Sequence, residues 1–191
     1  MTIKELYQKY HIMPQLEKHQ LRVGAIVALI TKDRDSILTA LVHDMGNIVK
    51  FSNLPSEWLP IQAEYIKKYG TDANVATIKI LEDAGLTTLR DNMIIESDLY
   101  KHLPNISDYS NVSLPAALTL YGDSRVAYQG IVSLEERLVD LETRYPNFRK
   151  GDRIWISRLE SFVQTLTDRD IASIKEADVE PLFDELLGYD I

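Results

Sequence analysis

The run Ile37-Leu38-Thr39-Ala40-Leu41-Val42-His43-Asp44-Met45-Gly46-Asn47 reads as an apolar helix that ends on a histidine and an aspartate. Ile37, Leu38, Leu41 and Val42 recur at the spacing of one buried helix face; Asp35 is placed to cap the start, and Gly46 marks the stop. Adjacent residues on a helix point ~100° apart, so His43 and Asp44 would ordinarily face different directions. At a helix end beside a glycine, both can turn toward one point.

Working upstream, Met13-Pro14 opens a second helical stripe of Leu16, Val23, Ile26, Val27 and Ile30, which should end near Lys32. His19 lies on that stripe, so an imidazole is aimed into the core. Downstream, a Pro-punctuated loop around Leu54-Pro55 and Leu59-Pro60 leads to a helix from about Ile61 to Tyr69, stopped by Gly70. Thr71 or Asp72 caps the next helix, which closes at Gly85, and Thr87 starts another through Leu99. Lys101 to Asn111, with Pro104, Asn105, Ser107 and Asp108, reads as a loop. Ser113-Leu114-Pro115 opens a helix that reaches Asp123 within Leu120-Tyr121-Gly122-Asp123-Ser124-Arg125-Val126. Ser133 and Glu136 form a capping box for Leu134 to Tyr145, Pro146-Asn147 breaks the chain, and helical segments follow at Arg153 to Leu166 and Ile171 to Leu187. No stretch alternates as a strand would. The fold class predicted is all-α, with residues 1–148 as one helical domain and 149–191 as a helical extension packed on it.

Composition narrows the function. The 191 residues are 45% hydrophobic and 26% charged, enough for a sizeable core, and they include no cysteine. A Cys-ligated zinc site and a Cys nucleophile are therefore excluded. The net charge of −8 argues against nucleic acid as the main partner, because phosphate backbones call for a basic surface. Val23 to Ile30 is the most apolar stretch; at eight residues it is far short of the ~20 that span a bilayer. The N-terminus shows no signal-peptide pattern, so a cytoplasmic location and no membrane partner are expected.

Imidazole and carboxylate together suit a divalent ion, and two His with two Asp can hold one while leaving sites for water. Burying two carboxylates without a compensating cation is costly, which makes a metal the natural explanation if these residues converge. Each residue also has a plainer reading: His19 as a core histidine, His43-Asp44 as an ordinary helix end, Asp123 as a turn residue beside glycine.

The order His19…His43-Asp44…Asp123, with His19-Gln20-Leu21-Arg22-Val23 around the first histidine, resembles the HD superfamily of metal-dependent phosphohydrolases. The resemblance spans about Met13 to Tyr145, and the intervals, 24 and 79 residues, look typical of small HD domains. It implies an HD-type helical bundle with one divalent metal ion (Fe, Mn, Co, Ni, Zn or Mg) held by His19, His43, Asp44 and Asp123. In that family the metal activates water for attack on a phosphoester, with cations orienting the phosphate. Arg22, one turn past His19, Arg125, two residues past Asp123, and Lys50 are the candidates here, with Asp44 as the catalytic carboxylate. A nucleotide or another small phosphorylated metabolite is the implied substrate.

The chain departs from the family at Asn47. Many HD proteins carry Lys there, and the related deoxynucleotidases carry an acidic residue. Binuclear members add histidines between the His-Asp pair and the last Asp; the remaining candidate is His102, so a mononuclear site is expected. Loss of those residues motivates a second reading, a non-catalytic metal- and nucleotide-binding signalling module. Tyr100, Tyr109, Tyr121 and Tyr128 are open to lining a base-stacking pocket or to simple packing. Residues 149–191 are open to covering the site or forming the interface of a homodimer.

Overall fold

The computed structural model describes residues 1–102, 106, 108, 109, 111–144 and 150–191, and they form an all-α bundle. The expected loop residues Pro104, Asn105 and Ser107, the break at Pro146-Asn147 and the 148/149 division lie outside the described residues.

The chain begins with α1 (Ile3–Lys9), which the hydrophobic periodicity did not reveal, although Thr2 and Glu5 cap it reciprocally. Next come α2 (Pro14–Ile30) and α3 (Arg34–Val42). Asp33, not Asp35, caps α3, accepting from the Ser36 amide at 2.9 Å. A 3-10 turn (Asn47–Lys50) and a second (Ser56–Trp58) lead into α4 (Leu59–Tyr69) and α5 (Ala73–Asp83), the latter capped by Asp72. Then follow α6 (Thr87–His102), three residues longer than expected, and α7 (Leu114–Asp123).

Directly after α7 the chain makes a small antiparallel pair, β1 (Val126–Ala127) and β2 (Gly130–Ile131). Its two-residue strands are too short to show alternation in sequence. The capping box of Ser133 and Glu136 starts α8 (Leu134–Arg144) as expected, and α9 (Lys150–Gln164) follows. The continuous helix expected from Ile171 to Leu187 is instead broken into a 3-10 turn (Ile171–Ser173), α10 (Glu176–Val179), a turn holding Pro181, and α11 (Phe183–Leu187). Proline lacks the amide that an uninterrupted helix needs at that point.

Helices α2, α3 and α7 pack on one another to form the centre of the molecule. Close approach is built in at the contact: a Cβ on Gly24 would meet the Leu41 side chain at 2.5 Å, and one on Gly122 would meet Val23 at 2.9 Å. Val23, Ile26, Val27, Leu41, Val42 and Leu118 are among the buried residues, so the stripes read from sequence do face inward. Helix α1 lies against this centre, with the Tyr7 hydroxyl donating to the Leu41 carbonyl at the end of α3. Among the described residues no helix is long and apolar enough to cross a membrane.

Candidate metal centre

Helix α3 ends at Val42, and His43 still has helical backbone angles as its C-cap. From there the chain turns through Asp44, Met45 and Gly46 into the 3-10 turn. The Gly46 amide donates to Thr77 Oγ1 on α5 at 2.9 Å, which holds the turn in place. Because the helix stops here, both His43 and Asp44 reach the same point. His19 arrives from the middle of α2 and Asp123 from the last residue of α7.

The four side chains meet closely. His19 Nε2 is 3.1 Å from Asp123 Oδ1, 3.3 Å from His43 Nε2 and 3.4 Å from Asp44 Oδ2. His43 Nε2 is 3.7 Å from Asp44 Oδ2 and 3.9 Å from Asp123 Oδ1. Neighbouring ligands of an octahedral ion with bonds of ~2.1 Å stand ~3.0 Å apart and opposite ones ~4.2 Å. The observed spacings fall inside that window. His19, His43 and Asp123 offer donor atoms all within 4.8 Å of one another and could hold a metal ion. Asp44 meets the two rings from outside that mutual set.

The surroundings orient the donors. His43 Nδ1 lies 2.8 Å from the Ala40 carbonyl; the ring must donate a proton there, so that in the neutral imidazole it is the Nε2 lone pair that faces the cluster. Gln20, wholly buried beside His19, accepts from the Asp44 amide through Oε1 at 3.4 Å, and its Nε2 has no partner among the described residues. Burial works against a charged His43, but Asp44 and Asp123 outweigh it and lift the imidazole to about 9. Burial likewise opposes ionisation of Asp123, yet the two histidines hold it well below the ordinary carboxylate range. The cluster therefore holds positive charge among its donors, as a proton or as a metal cation.

A further carboxyl faces this group and was missed from sequence. Asn92 Nδ2 on α6 donates to Thr39 Oγ1 on α3 at 3.0 Å, setting the register of the two helices. One turn further along each, Glu96 comes near His43. Burial raises the Glu96 carboxyl to about 7; His43 opposes this, while Asp123 and Asp44 add to it. The signal was in the sequence: Glu96 follows the buried Leu89 and Met93 at helical spacing, an acid on an apolar stripe.

The expected phosphate-binding cations are not gathered here. Arg22 is committed to Glu176 on α10, with Nε at 2.7 Å and Nη2 at 2.6 Å from Oε1. Arg125 corrects its expected role altogether. It is 1% exposed, and its guanidinium donates to the Val132, Ile171, Ala172 and Ile174 carbonyls and to the Tyr121 hydroxyl. That occupies all the donors an arginine has, so Arg125 is a structural anchor. Lys50 is exposed at the end of its 3-10 turn and makes no ion pair among the described residues.

His102 sits exposed beside Asp98 at 3.7 Å and does not join the cluster. Asn47 is buried. Tyr109 and Tyr121 are buried in packing, their hydroxyls donating to the Trp155 and Ile171 carbonyls, while Tyr128 is open to solvent. The side chain of Tyr100 lies outside the described residues.

No known protein family, curated protein or solved structure matches this chain.

Proposed function

We propose that the chain is an HD-type, metal-dependent phosphohydrolase acting on a nucleotide or another small phosphorylated metabolite, with His19, His43, Asp44 and Asp123 as ligands of one divalent ion. The observation that carries this reading is the convergence of those four side chains from α2, the end of α3 and the end of α7 at spacings that suit one cation. A divalent ion bound there supplies Lewis acidity for the attack of water on a phosphoester. The chain's own residues supply the rest. The Ala40 carbonyl keeps the His43 Nε2 turned inward, Gln20 holds the Asp44 turn, and Glu96 stands near the cluster as a carboxyl able to exchange a proton. A cation in the cluster would draw Glu96 down from about 7, leaving it a base rather than an acid.

A non-catalytic metal- and nucleotide-binding module is the second reading. Arg22 and Arg125 are both occupied by the C-terminal segment, and Asn47 stands where relatives of this type carry an acid or a lysine. The deciding experiment loads the full chain with Fe, Mn, Co, Ni, Zn or Mg in turn and assays a broad panel of phosphoesters, nucleotides included. Turnover that disappears in Asp44→Ala supports the hydrolase. Tight nucleotide binding with no turnover on any metal replaces it with the binding module.

A further inference from the structure

A residue far from the site in sequence ties together two of the segments that build it. Glu176, at the start of α10, receives both the Nε and the Nη2 of Arg22 on one carboxylate oxygen. Its other oxygen accepts from the Ile131 amide at 3.1 Å. Arg22 lies one turn beyond His19 on α2, and Ile131 belongs to the strand pair that follows α7 immediately after Asp123. One carboxylate thus joins the two segments that deliver His19 and Asp123, which make the tightest contact of the cluster at 3.1 Å.

The seat for that carboxylate is shaped to take it. Gly130 has a φ of +132°, and a Cβ there would stand 2.9 Å from Glu176 Oε2 and 3.5 Å from Arg22 Nη2. Arg125, two residues past Asp123, grips the carbonyls of Ile171, Ala172 and Ile174 just ahead of Glu176. The segment from 171 to 176 is therefore held from both the α2 side and the α7 side.

We propose that Glu176 is a positioning residue of the metal centre: by holding Arg22 and Ile131 on its two oxygens, it sets the separation of His19 and Asp123. This rests on the metal reading above. Outer partners of metal ligands typically change affinity by ~10–100-fold when removed. Glu176→Ala should weaken Mn²⁺ or Co²⁺ binding by that range in calorimetric titration of the full chain. Glu176→Gln keeps the shape and one acceptor, and should lose less, up to ~10-fold.

The control is Lys18→Ala. Lys18 pairs with Glu180 at 3.7 Å, also linking α2 to the extension, but both partners are half exposed and the pair does not include the strand pair that follows α7. It should leave metal affinity unchanged. Wild-type affinity in both Glu176 variants overturns the proposal, as does an equal loss in Lys18→Ala. Should the wild-type chain take up none of Fe, Mn, Co, Ni, Zn or Mg, the metal reading fails by itself. The positioning role is then read from the ¹⁵N ring resonances of His19 and His43 in metal-free protein: displacement in Glu176→Gln upholds it, and unmoved rings overturn it.

Discussion

Two clusters of ionisable side chains in this molecule are built on opposite principles. Around Asp83 on α5, donors surround one acceptor: Lys68 Nζ at 2.9 Å, the Tyr10 hydroxyl at 3.2 Å and the Tyr69 hydroxyl at 3.3 Å all reach the same carboxylate oxygen. Lys68 in particular holds Asp83 below the ordinary carboxylate range, and nothing further is needed to neutralise it. Around His19 the reverse holds. Two imidazole nitrogens and two carboxylates face one another, with the Glu96 carboxyl behind them and no lysine or arginine paired to the group among the described residues. A cluster whose hydrogen bonds are complete is a clasp between helices; a cluster of imidazoles and carboxylates with no lysine or arginine among them is a candidate receptor for a metal ion.

The largest effect should come from breaking the receptor. His43→Ala or Asp123→Ala should weaken metal binding by more than the ~100-fold that outer partners reach, as read by titration. The metal-free melting temperature should fall as well, because each variant strands the buried opposite charge that its partner neutralised.

Next comes Arg125→Met, which strands the buried acceptors of Val132, Tyr121, Ile171, Ala172 and Ile174. Denaturant unfolding should show a loss of ~3 kcal/mol or more. A loss under 1 kcal/mol would return Arg125 to the pool of free cations.

Asp83→Ala is the counterpart of the ligand variants. It should cost about 1 kcal/mol and leave metal affinity untouched. A change in metal binding would erase the distinction between the two clusters.

The smallest effect is one of pH. The folded-state value of Glu96, about 7, lies above the ordinary 4.5. The folded protein thus binds the extra proton, and this contribution to stability is complete below pH 4.5 and lost as pH rises through about 7. Metal-free wild type should lose a few degrees of melting temperature across that window relative to Glu96→Gln, and a bound divalent ion should remove the difference.

The centre of the fold was legible because α2, α3 and α7 are buried along stripes whose period shows in a single sequence, and His19 is conspicuous as a polar residue on such a stripe. The helix end at His43-Asp44 was equally plain from Gly46. What could not be read were pairings across long intervals. Arg22 and Glu176 are 154 residues apart, and either charge alone looks like a solvated helix face or a phosphate ligand. The same holds for Arg125, whose partners are backbone carbonyls and so carry no side-chain signature at all. Of the breaks after Ile171, the one between α10 and α11 carries a local signal, Pro181, while the one ahead of Glu176 carries none as plain.

In a mutational scan, Gly46 would stand apart from the residues around it in the reason for its intolerance. Its backbone angles, φ −86° and ψ −4°, are open to any residue, so conformational freedom is not what requires glycine. Volume is: a Cβ would lie 2.5 Å from both the Ala73 carbonyl oxygen and the Thr77 amide nitrogen, two unyielding backbone atoms of α5. Even alanine there must push α5 and the His43-Asp44 turn apart. Position 46 should therefore score as intolerant as His43 and Asp44 while contributing no chemistry, and a scan read by phenotype alone would mistake a spacing requirement for a reactive group.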